Sequence, residues 1–172
     1  MDFTTFGGNL VADDRSLAPY QGTPEEVARA MLTLAELQPG ETFCDLGSGD
    51  GRVLLHALQH FGAGRVLGWE LDPVVHRLAQ AHVAARLGED SELARRVTLH
   101  CGDARNAELA GCHVVALYLL PAGHAALEPH LRTQLPAGCG ARVVAHGWPV
   151  PGWTATREEV TSMGTRLYLY KR

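Results

Sequence analysis

Phe43-Cys44-Asp45-Leu46-Gly47-Ser48-Gly49-Asp50-Gly51 decides how this chain folds. A short apolar run carries an acidic residue into three alternate glycines, and helix-forming residues follow. Glycine at Gly47, Gly49 and Gly51 lets the backbone turn tightly and approach a ligand with no Cβ in the way. A helix behind such a turn presents free N–H groups and a partial positive charge. Strand, glycine turn and helix together form the unit that seats a nucleotide-like ligand at the carboxyl end of a first strand.

Outward from this unit the pattern alternates. Thr23-Pro24-Glu25-Glu26 reads as a helix start, with Thr23 as N-cap, Pro24 at N1 and Glu26 closing a capping box. Val27, Ala30, Met31, Leu34 and Leu37 repeat at helical spacing until Gln38-Pro39-Gly40. Strands are expected over about 41–46, 65–71, 96–101, 112–119 and 139–146, with helices over about 51–61, 72–87 and 121–135 between them. Two alternating segments, about 156–162 and 165–171, flank Met163-Gly164 and read as an antiparallel pair. The expected fold is α/β: a single doubly wound, mostly parallel sheet of about seven strands with an antiparallel C-terminal hairpin. Residues 1–22 read as an irregular N-terminal arm and 23–172 as the ligand-binding domain.

The bulk numbers agree with one globular domain. The chain has 172 residues, 46% of them apolar and 20% charged, with net charge −4. Lys171 is the one lysine, and no basic run exceeds Arg95-Arg96, so an extensive nucleic-acid surface is not expected. Nothing resembles a signal peptide or an apolar membrane span, and a soluble cytoplasmic protein is expected. Cys44, Cys101, Cys112 and Cys139 form no C-x-x-C pair and read as buried apolar residues. His56 and His60 stand four apart on one helix, but the glutamate of H-E-x-x-H is missing and no third ligand is evident. No metal is expected there.

Three strand ends carry carboxylates: Asp45, Glu70 and Asp103. Glu70, 23 positions after Gly47, is placed to accept hydrogen bonds from both hydroxyls of a ribose. Asp72 before Pro73 already supplies the N-cap of the next helix, which leaves Glu70 for a ligand. A dinucleotide fingerprint requires a third glycine five positions after Gly47, where this chain has Arg52. That argues against a nicotinamide oxidoreductase.

Asp45-Leu-Gly-Ser-Gly-Asp-Gly51 resembles motif I of the class I S-adenosylmethionine (SAM) dependent methyltransferases. Pro19-Tyr20-Gln-Gly-Thr23-Pro24, Glu70-Leu-Asp-Pro73 and Leu117-Tyr-Leu-Leu-Pro121 occur with it in order. The set is similar to small prokaryotic relatives of the mitochondrial lysine methyltransferases of the ATP-synthase c-subunit and adenine-nucleotide-translocase type. More distantly, it resembles the non-SET histone-lysine methyltransferases. The resemblance covers most of residues 19–171 and implies a Rossmann-like fold with SAM as cofactor. It implies a cofactor site of Asp45, Gly47, Ser48, Gly49, Gly51, Glu70, Leu71, Asp103 and Ala104. Asp103 would accept from the adenine amino group and Ala104 would read the ring edge. Tyr20 and Thr23 would close over the methionine end.

Tyr118 falls where the transferred methyl group emerges and is the candidate catalytic residue. The Asn/Asp-Pro-Pro-aromatic sequence of many nucleic-acid amino methyltransferases is not present there. The resemblance to the lysine methyltransferases implies a protein lysine as the acceptor. A small molecule or RNA, and a non-catalytic SAM-binding module, stand as alternatives. Trp148 and Trp153, on a proline-stiffened loop, are candidates for an acceptor channel or a cover over the core edge. The mitochondrial relatives carry a membrane-associated N-terminal segment that is not read in this chain, so a membrane-embedded substrate is not expected.

Overall fold

The computed structural model describes residues 22–88 and 90–172. The expected arm therefore falls almost wholly outside the described residues, and so does Tyr20. Within them the elements follow in the expected order: α1 (Glu25–Leu34), β1 (Thr42–Leu46), α2 (Arg52–His60), β2 (Arg65–Glu70), α3 (Pro73–Leu87), β3 (Val97–Cys101), β4 (Val114–Leu117), α4 (Pro121–Gln134), β5 (Arg142–His146), β6 (Arg157–Val160) and β7 (Arg166–Lys171).

The strands form one sheet in the order β3-β2-β1-β4-β5-β7-β6. Strands β1 to β5 pair in parallel, and β7 joins β5 and β6 antiparallel. This is the expected doubly wound sheet with a C-terminal hairpin at one edge. Strand order reverses between β1 and β4, and open α/β sheets bind ligands in the crevice outside that point.

Alternate residues of each central strand serve two cores. Phe43, Val66, Val114, Ala116 and Val144 pack with Val27, Met31, Leu54 and Leu58 of α1 and α2 on one face. Cys44, Leu46, Val115, Leu117 and Val143 pack with Leu127 and Leu131 of α4 on the other. Strands covered on both faces must be apolar throughout, and all four residues of β4 are fully buried.

Two local expectations fail. Thr23 is not the N-cap of α1: that position belongs to Pro24, with no side-chain capping bond. Thr23 is instead buried, and its carbonyl accepts from Arg52 Nη1 at 3.3 Å. The competing partner lies on α2, out of reach of a local motif. Of the cysteines, Cys44 and Cys112 are buried, but Cys101 and Cys139 are exposed because one ends an edge strand and the other lies in a turn. Asp72 does cap α3, accepting from Val74 N at 2.7 Å and Val75 N at 3.4 Å.

Candidate active site

The turn after β1 is built as its glycines require. Gly47, Gly49 and Gly51 have φ of 90°, 54° and 78°, a region that penalises side chains. A Cβ at Gly47 would lie 2.8 Å from Leu119 Cδ2, so the segment after β4 packs directly on the turn. From the other side, Gly47 N and Ser48 N both donate to Trp69 O at 2.9 Å. Gly68 makes that approach possible, since a Cβ there would meet Leu54 Cδ1 at 2.5 Å and Ser48 Oγ at 2.8 Å. Sequence reading missed Gly68, which looks like an ordinary strand glycine until β2 is laid beside the turn.

Glu70 is already engaged. Its Oε2 accepts from Gly49 N at 2.9 Å and its Oε1 from Asp72 N at 2.8 Å. The carboxylate thus fixes the glycine turn as well as the start of α3. A carboxylate offers about four acceptor positions, so two remain for ligand hydroxyls.

Asp45 is fully enclosed under the turn. Burial, then the charges of Glu70 and Asp50, raise its carboxyl well above the ordinary range. Three carboxylates therefore converge at the carboxyl end of β1 and β2, an arrangement that favours a cationic ligand group. Asp50, only 3% exposed, binds Arg52 through Nε at 2.9 Å and Nη2 at 2.6 Å, and His82 Nδ1 lies 3.5 Å away. Arg52, noted from sequence only as the missing third glycine, ties the turn to Thr23.

Asp103 ends the next strand over. It accepts from Arg105 N at 2.9 Å and pairs with the Arg105 guanidinium, which lowers its carboxyl pKa. It caps the short turn Ala104–Asn106, and Ala104 is buried there. Beside it, Trp69 and His100 stack at 4.4 Å across β2 and β3. Leu71 is half-buried at the end of β2.

Tyr118, half-buried just past β4, faces His146 at the end of β5 with ring centroids 3.9 Å apart. Burial raises its hydroxyl pKa. His146 is 3% exposed, and burial, with the neighbouring His124, lowers its pKa to about 4. Neither ring nitrogen of His146 has a hydrogen-bond partner among the described residues. The pair His124 and His146 gave no local sequence signal, because they come together only across α4 and β5.

The two loop tryptophans separate. Trp153 packs against the core edge, donating to Glu128 at 2.7 Å with Arg172 stacked 4.1 Å over its ring. Trp148 is 48% exposed.

The residues fit the expected cofactor. The glycine turn is closed to any Cβ at Gly47, acceptors end three adjacent strands, and the crowded carboxylates match a cofactor that carries ammonium and sulfonium charges. Comparison with known proteins agrees. The ANTKMT methyltransferase domain profile matches residues 45–157. A protein-lysine N-methyltransferase from Saccharolobus islandicus is 30% identical over 155 residues, spanning 88% of this chain and 92% of that protein. An adenine nucleotide translocase lysine N-methyltransferase from Mus musculus is 37% identical over 139 residues, 81% of this chain but 57% of its own length. The crystal structure of an RNA methyltransferase from Salinibacter ruber in complex with S-adenosyl-L-homocysteine superposes with a TM-score of 0.77 at 33% identity, covering 88% of this chain and 93% of that one. The chain belongs to the ANTKMT methyltransferase domain family and is a SAM-dependent methyltransferase.

Proposed function

We propose that the acceptor is the side-chain amine of a protein lysine. The observation that carries this is the wall formed by Tyr118 and Leu119. Leu119 packs on Gly47 of the cofactor turn, while Tyr118 covers the buried, neutral imidazole of His146. When bound, SAM supplies an electrophilic methyl group on a sulfonium. This chain must hold a nucleophile in line with it, a contribution of roughly 7–11 kcal/mol at best.

A lysine reacts only as the neutral amine, and an apolar, aromatic wall lowers its pKa by desolvation without a strong base. Tyr118 then orients the amine through its hydroxyl, which has no hydrogen-bond partner among the described residues. Glu70 would hold the ribose hydroxyls, and the Asp45 charge would favour the ammonium. Asp103 and Ala104 would border the adenine, and Thr23 would face the methionine end. The relatives from S. islandicus and M. musculus are lysine N-methyltransferases, which supports this reading.

The RNA methyltransferase from S. ruber favours a second acceptor, RNA. Charge argues against it. Net charge is −4, no basic run exceeds Arg95-Arg96, and six of the fourteen arginines (Arg52, Arg96, Arg105, Arg132, Arg142 and Arg157) are each paired with a carboxylate. No helix among the described residues is long and apolar enough to cross a membrane.

Methyl-labelled SAM, the protein and a cell extract decide between the acceptors. Label should enter protease-sensitive material and appear as Nε-methyllysine after hydrolysis. Label recovered in nuclease-sensitive material instead would establish RNA as the acceptor.

A further inference from the structure

Helices α1 and α2 bring together a group that their separate sequences do not show. His56 and His60 stand one turn apart on α2, with ring centroids 4.5 Å apart. Glu25, the first residue of α1, faces them. One carboxylate oxygen of Glu25 and one nitrogen of each imidazole lie within 4.8 Å of one another. Glu25 and His60 are exposed, while His56 is only 8% exposed. Among the described residues no hydrogen bond or ion pair joins Glu25 to either ring, and the buried Nε2 of His56 has no partner at all. A sealed imidazole nitrogen without a partner is costly, and ring packing against His60 and Phe61 does not satisfy it.

We propose that Glu25, His56 and His60 form a binding site for a divalent transition-metal cation of zinc-like preference, which clamps α1 to α2. Two imidazoles, one carboxylate and a water make a tetrahedral set that zinc accepts, with bonds of about 2.0–2.2 Å. Tetrahedral ligands at that length stand roughly 3.3–3.6 Å apart, so atoms within 4.8 Å of one another close by a movement of at most about 1.5 Å. The exposed side chains of Glu25 and His60 supply it by rotamer change, leaving the buried His56 in place. Arg29, one turn along α1 from Glu25, puts a positive charge near His56 and opposes the cation. The two helices are already tied at the other end of α2, where Arg52 holds the backbone of Thr23 just before α1.

Calorimetric titration of the intact protein with Zn²⁺, and the visible spectrum of its Co²⁺ complex, test the site. The wild type should bind one equivalent, with Co²⁺ showing the intense absorption of a low-coordinate site. His60→Ala and Glu25→Gln change exposed side chains, and each should weaken Zn²⁺ binding at least tenfold; losing a supporting residue outside the ligand set already costs about 10–100-fold. Both should keep wild-type affinity for S-adenosylhomocysteine, which shows that they fold. Arg29→Ala should tighten Zn²⁺ binding. Substoichiometric binding, an unchanged affinity in either ligand variant, or a six-coordinate Co²⁺ spectrum overturns the proposal.

Discussion

Replacing Glu70 by glutamine keeps its size and removes its charge. Its two oxygens each accept one backbone N–H, from Gly49 at 2.9 Å and from Asp72 at 2.8 Å. Glutamine presents one oxygen and one NH₂, so one of those donors keeps a partner and the other faces a donor. A hydrogen bond to a charged group contributes about 1.5–3 kcal/mol, and for this half-buried carboxylate about 2 kcal/mol is expected. For a chain of this size that lowers the melting temperature by about 4–8 °C. The same change loosens Gly49 and removes the anionic acceptor for the ribose, so affinity for S-adenosylhomocysteine should fall by about tenfold, or ~1.4 kcal/mol. Urea unfolding and calorimetric titration read the two effects separately. Unchanged stability would refute the claim that Glu70 fixes the turn. Lower stability with unchanged affinity would make it a structural residue only.

Tyr118→Phe removes one hydroxyl and should cut turnover tenfold or more with S-adenosylhomocysteine affinity unchanged, the signature of a contact made in the transition state; unchanged turnover returns Tyr118 to the core. Asp45 has a raised pKa in the fold, so ionising it opposes folding once pH exceeds its unfolded value. Asp45→Asn should therefore melt higher than wild type at neutral pH, lose that advantage in acid and bind SAM more weakly; equal melting at pH 7 would contradict the charge crowding. His146 has a lowered pKa, so the neutral form stabilises the fold above about 6.5 and that stability is lost as pH falls toward about 4. His146→Phe keeps a ring on Tyr118 and should flatten unfolding free energy between pH 7 and 5, where the wild type declines toward a limit of about 3 kcal/mol; an equally steep decline would place the sensitive group elsewhere.

What the sequence made legible was local. Asp72-Pro73 gave the start of α3, and the glycine turn gave the strand and helix around it, because each signal involves residues a few positions apart. The carboxylates ending β1, β2 and β3 were also readable, since strand ends follow from strand spacing. Everything that depended on a distant neighbour was hidden. Thr23 looked like a cap until Arg52 claimed its carbonyl. Glu70 looked free until the turn folded back over it. Gly68, His124 and the third member of the Glu25–His56–His60 group have no neighbours in sequence that announce them. The division of Trp153 from Trp148 likewise depended on Glu128 and Arg172.

The central claim is that the cofactor lies in the Gly47–Gly51 turn with its reactive end toward Tyr118. A crystal structure of the complex with S-adenosylhomocysteine tests it most directly. The account predicts ribose hydroxyls on Glu70, the adenine bordered by Asp103 and Ala104, and the sulfur directed to the Tyr118–Leu119 wall. Ribose density away from Glu70, or a sulfur turned away from Tyr118, would contradict it.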